Sequence, residues 1–77
     1  MKKIENSESL SREFGAFIGR VRKEKGITQE EMATFLGITQ SYYSYIERGE
    51  RNVDFFMALK ICKVLRVSVN TFIKEYL

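Results

Sequence analysis

Residues 26–49, GITQEEMATFLGITQSYYSYIERG, constrain this chain more than any other stretch. Thr28 precedes Glu31 by three positions, the spacing at which an N-cap residue and the third helical residue bond each other's backbone. Met32, Ala33 and Leu36 then fall on one face. Gly37 stands where the chain must leave the helix, a position that favours a residue tolerant of positive φ. Ile38 anchors the turn, and Thr39 is placed to cap a second helix over residues 40–48. Gly49 closes it. The turn between the helices is too tight for an ordinary loop.

Within the second helix, Tyr43 and Ile46 face inward, with Glu47 beside them. Gln40, Ser41, Ser44 and Tyr45 share the opposite face. A polar outer face is the default for a surface helix. This one, however, offers amides and hydroxyls without a carboxylate, which suits base edges in a major groove. The tight turn before it and the cations around it favour that second reading. Helix, short glycine turn and capped helix make a helix-turn-helix.

From Phe14 to the C-terminus the sequence resembles the Cro/repressor-type (XRE) helix-turn-helix family. Arg22, the TQEEMA run with Gln29 and Ala33, Gly37, the IERG run and the LKICKVLRVS stretch carry the resemblance. Among its subfamilies, the chain is similar to the controller proteins of restriction–modification systems and to small phage repressors. The resemblance implies a dimeric, sequence-specific regulator on a palindromic double-stranded operator. It also implies roles for particular residues. Gln40, Ser41, Ser44 and Tyr45 approach base edges. Gln29 reaches a phosphate and braces Gln40, while Thr39, Arg48, Arg51 and Asn52 are placed for phosphates. Tyr42 resembles a tyrosine that packs along the sugar–phosphate backbone, although its spacing fits a lid over the core equally well. Arg22 and Glu47 resemble an ion pair locking the recognition helix to the body; the alternative is two unrelated surface charges.

The sequence departs from the family at several places. Val53 and Arg66 replace a common proline and glycine, so Arg66 is expected in a left-handed cap. Tyr43 replaces an aliphatic residue, and we place its body inward with the hydroxyl at the edge. Phe35 occupies a position that is usually polar, and the sequence offers no account of it.

The remaining chain reads as helices. Residues 1–8 form a polar tail ahead of a single domain, residues 9–77. The first helix begins near Ser9 or Ser11 and runs to Lys25, with Leu10, Phe14, Phe17, Ile18 and Val21 on its stripe. Gly15 and Gly19 interrupt it at a cost of up to ~1 kcal/mol each. Asp54 caps a fourth helix with Phe55, Ala58, Leu59, Cys62 and Leu65 inward. Ser68 caps a last helix over residues 69–76, with Phe72 inward. The expected fold is all-α, a compact five-helix bundle. Phe56, Met57, Val69, Ile73, Tyr76 and Leu77 exceed the needs of so small a core and are expected to form a dimer interface.

Composition narrows the function. Thirteen Lys and Arg against ten Asp and Glu leave a modest net charge of +3. Arg20, Arg22, Lys23 and Lys25 end the first helix, where the helix dipole also favours cations. One cysteine and no histidine exclude an intramolecular disulfide and offer no zinc site, so no metal or cofactor is expected. Cys62 falls on a core stripe and the carboxylates do not converge, which argues against an enzyme. No apolar run approaches a membrane span and no signal-peptide core is evident, so a cytoplasmic protein is expected. No small-molecule effector site is evident. The competing function within the same fold is an antitoxin-like or partner-controlled regulator whose main task is protein binding.

Overall fold

Local capping chemistry sets where each helix begins. In the computed structural model, which describes residues 6–77, the elements are α1 (Ser7–Glu24), α2 (Gln29–Leu36), α3 (Gln40–Glu47), α4 (Phe55–Leu65) and α5 (Val69–Tyr76). No strand occurs among the described residues. Thr28 and Glu31 make the reciprocal capping box, with bonds of 3.0 and 2.9 Å. Thr39 Oγ1 accepts from the Tyr42 amide at 3.1 Å, and Asp54 Oδ1 accepts from Met57 at 2.7 Å. Ser68 caps α5 through the Asn70 amide.

The ends are equally local. Gly37 takes φ 73° while the Ile38 amide bonds back to Ala33, tightening the turn into α3. Arg66 ends α4 at φ 55°, the one non-glycine residue with positive φ among those described. Val67 N–H bonds to Cys62 O across that turn, so the arginine tolerates a conformation that glycine adopts more readily.

α1 begins earlier than the sequence predicts. Asn6 Oδ1 accepts from the Ser9 amide at 2.8 Å, so the cap lies ahead of the serines read as the helix start. Residues 7 and 8, placed in the tail on sequence, are therefore helical; residues 1–5 of that tail lie outside the described residues.

One core joins all five helices. It contains Phe14, Phe17, Ile18 and Val21 of α1, Met32, Ala33 and Leu36 of α2, and Tyr43 and Ile46 of α3. Ile61, Cys62 and Leu65 of α4 and Phe72 of α5 complete it, with Phe72 edge-on to Phe14 at 5.3 Å between ring centroids. The stripe of α4 keeps Ala58, Cys62 and Leu65 as expected, but departs from expectation around Ile61. Ile61 is fully buried where Leu59 was expected, and Leu59 is only half-buried. Phe55 lies on the expected side but is 68% exposed, at the edge of a groove it shares with residues of α1 and α5. Leu10, at the start of the α1 stripe, is exposed in the same groove.

Two glycines in α1 determine how α3 sits. A Cβ on Gly15 would fall 2.5 Å from the carbonyl oxygens of both Ile46 and Glu47. A Cβ on Gly19 would press on the Glu47 carboxylate at 3.3 Å. Their helix-propensity cost is thus offset by letting the end of α3 lie directly on α1.

Candidate nucleic-acid interface

The C-terminal end of α3 is fixed by charge as well as by packing. Arg22 Nε stands 2.6 Å from Glu47 Oε2 and Arg22 Nη2 3.1 Å from Oε1, a two-pronged pair with both side chains buried. Arg22 Nη1 donates to Ile27 O at 2.8 Å, tying the α1–α2 turn into the same lock. Gln29 Nε2 donates to Glu47 Oε1 at 2.9 Å. Its amide thus braces Glu47, and not Gln40 as expected from the sequence.

Burial alone would raise the Glu47 carboxyl. Hydrogen bonding from Arg22, helped by Tyr43 and Gln29, outweighs it and holds the carboxyl below its ordinary value. Tyr43 is fully buried, contrary to the expected exit of its hydroxyl to solvent. That hydroxyl has no hydrogen-bond partner of regular geometry, although Glu47 and Arg22 stand close enough to act on it. Desolvation, then Glu47, pushes the phenol well above its ordinary value.

From this fixed helix the outer face projects. Gln29, Gln40, Ser41, Ser44, Tyr45 and Arg48 line one shallow concavity of about 260 Å³. All four residues expected to read bases therefore share a surface, with two of the expected phosphate ligands at its margin. Among the described residues, the Gln40 and Ser41 side chains have no hydrogen-bond partner and remain available to a ligand. Tyr45 is flanked by two guanidinium groups, Arg48 at 4.8 Å and Arg51 at 6.0 Å from its ring centroid.

A second depression, about 750 Å³, is lined by Glu8, Tyr42, Gly49, Glu50, Arg51 and Asn52. It brings Tyr42, Arg51 and Asn52 together beside the first. Ser11 Oγ donates to Asn52 Oδ1, so α1 helps to hold the loop after α3. Tyr42 also packs against the core, which combines the two roles its spacing left open. Thr39 is exposed, with its hydroxyl engaged in the α3 cap.

The profile of the helix-turn-helix family matches residues 18–72. The chain belongs to this family. An HTH-type transcriptional regulator, y4dJ of Sinorhizobium fredii, is 41% identical over 54 residues, 70% of each chain. The chain spans 53% and 56% of two longer regulators that it also matches. The clp gene regulator ClgR of Corynebacterium glutamicum superposes with a TM-score of 0.81 at 30% identity, over 86% of this chain and 70% of that one. The restriction–modification controller protein C.Esp1396I, solved as a tetramer with its natural 35 base-pair operator, gives 0.75 at 35% identity, over 86% and 87%.

The expected dimer residues divide. Phe56 is 76% exposed, and Ile73 and Leu77 are also exposed. Met57, Val69 and Tyr76 instead pack partly against the core, with the Tyr76 ring 5.0 Å from Phe72. Phe55 and Leu10 take their place on the open surface. Leu10, Phe14, Val53, Phe55, Ile73 and Leu77 are among the residues lining an apolar groove of about 480 Å³. Sequence reasoning missed Phe55 because its helical phase is that of a core residue.

Among the described residues no helix is long and apolar enough to cross a membrane.

Proposed function

We propose that this protein is a homodimeric, sequence-specific regulator of transcription, with α3 entering the major groove of a palindromic double-stranded DNA operator. The observation carrying this reading is the grouping of Gln40, Ser41, Ser44 and Tyr45 around one concavity on a helix fixed by the Arg22–Glu47 pair. Gln40 opens α3, the part of a recognition helix that enters deepest, and its amide can pair with adenine through two hydrogen bonds. Gln29, Thr39, Tyr42, Arg51 and Asn52 face the backbone, and the charge of Arg51 supplies affinity that depends on salt.

A second copy covers the groove containing Phe55, Ile73 and Leu77, with Phe56 beside it. The pairing sets two recognition helices about one DNA turn, roughly 34 Å, apart. Ile73→Asp should give folded monomers that bind the operator weakly.

The deciding test titrates Gln40→Ala and Arg51→Ala on a duplex enriched by the wild type and on a scrambled duplex, at several salt concentrations. Gln40→Ala should lose roughly 1–3 kcal/mol on the enriched duplex only. Arg51→Ala should weaken both duplexes and lower the salt slope by about one unit. A Gln40→Ala protein with full specificity would remove the base-reading role from this face.

A further inference from the structure

Arg48, which the sequence assigns to a phosphate, is engaged on three sides by its own chain. Nη1 donates to Ser44 Oγ at 2.7 Å. Nε and Nη2 donate to the two oxygens of Glu50 at 3.1 and 3.4 Å. The guanidinium plane also covers the Tyr45 ring. Arg48 and Glu50 are each about half exposed, so burial does not force this arrangement. What holds it is the geometry of the helix end. Ser44 lies one turn before Arg48, and Gly49 at φ 73° turns the chain so that Glu50 comes back beside the guanidinium.

We infer that Arg48 and Glu50 act as a positioning pair that presents Ser44 as a hydrogen-bond donor and fixes Tyr45 on the base-reading face. The inference rests on α3 as the reading helix and deepens that reading. A serine hydroxyl has one proton and two lone pairs. With a cation donating to one lone pair, the proton is left to point outward and the oxygen is weakened as an acceptor. Ser44 then selects an acceptor at the groove edge: purine N7, guanine O6 or thymine O4, against the cytosine amino group. Glu50 matters because it occupies the part of the guanidinium fork that a phosphate would otherwise take. Arg48 is thereby kept on Ser44 and Tyr45.

The two roles of Arg48 predict different behaviour. A phosphate ligand contributes equally to every sequence and releases counterions, whereas a positioning group acts on the preferred sequence alone. Arg48→Lys keeps the charge but loses the planar fork. Glu50→Gln keeps the size but removes the charge that holds the guanidinium.

The experiment selects duplexes from a randomised library with wild type, Arg48→Lys, Glu50→Gln and Ser44→Ala, each checked for helical content. Enriched and random duplexes are then titrated across a range of salt. We expect both pair variants to lower the enriched-to-random affinity ratio by roughly tenfold, the scale of one charge-assisted hydrogen bond. Glu50→Gln should at the same time strengthen binding to random duplex. Ser44→Ala should lose preference at one base-pair position per half-site. An Arg48→Lys protein with the wild-type ratio, or a Glu50→Gln protein that gains equally on both duplexes, overturns the inference. A wild type that enriches no sequence overturns the base-reading role of α3 and this inference with it. Enrichment by wild type with unchanged variants overturns the positioning pair alone.

Discussion

Glu47 and Arg48 are neighbours, and each belongs to an Arg–Glu pair, yet the pairs differ in almost every physical respect. Arg22–Glu47 bridges two helices with side chains only 9% exposed on each partner. Arg48–Glu50 spans two residues with side chains 51% and 53% exposed. The first pair has lost its water, so each charge depends on the other and on Ile27 O and Gln29 for solvation. The second retains water as an alternative partner. Burial thus makes one pair a structural lock, while the other is held by local geometry in competition with water.

The comparison breaks most visibly at Glu47. Glu47→Ala strands the buried guanidinium and should cost about 3 kcal/mol. For a chain of this size that lowers the thermal midpoint by roughly 4–8 °C per kcal/mol. An unchanged midpoint in a calorimetric scan would show that the lock is not one. The pair should also set the acid limit. The folded Glu47 carboxyl lies below its ordinary value, so its contribution is fully present above the unfolded carboxylate pKa of about 4.3. It is lost as pH falls through the folded value. Glu47→Gln should therefore flatten the acid side of a stability profile measured by urea titration.

Gly15→Ala attacks the same lock by steric means. Its Cβ would meet the backbone oxygens of Ile46 and Glu47, and backbone cannot rotate away as a side chain can. We expect a loss of about 2 kcal/mol in denaturant unfolding, with Gly19→Ala milder because its neighbour is a side chain. Tyr43→Phe should be neutral or stabilising by up to ~1 kcal/mol, since it removes a buried hydroxyl without a regular partner. A clear loss in the same assay would mean that the hydroxyl solvates Glu47 more than its geometry indicates. The smallest effect belongs to the exposed pair. Glu50→Gln should change stability by less than ~0.5 kcal/mol, although its effect on DNA discrimination is expected to be large.

Sequence alone determined whatever depends on neighbours along the chain. Thr28, Thr39, Asp54 and Ser68 start helices because a cap is a bond to an amide two or three residues away. Gly37 and Arg66 end helices because left-handed backbone is a local property. Asn6 escaped notice because two serines nearby offered the same chemistry. The four residues expected to read bases emerged as one surface because they lie on successive turns of a single helix. What only the tertiary structure decided depends on groups far apart in sequence. Ile61 joined the α4 core face and Phe55 was left open beside Leu10, Ile73 and Leu77, because which side of α4 is covered depends on how the other helices pack against it. Tyr43 took its hydroxyl inward because Arg22 and Glu47 close over it. Gly15 and Gly19 found their reason in the α1–α3 approach. Arg48, expected at a phosphate, lies against Ser44 and Glu50 in the folded chain, since a long side chain goes where polar groups converge, and only the tertiary structure shows where that is.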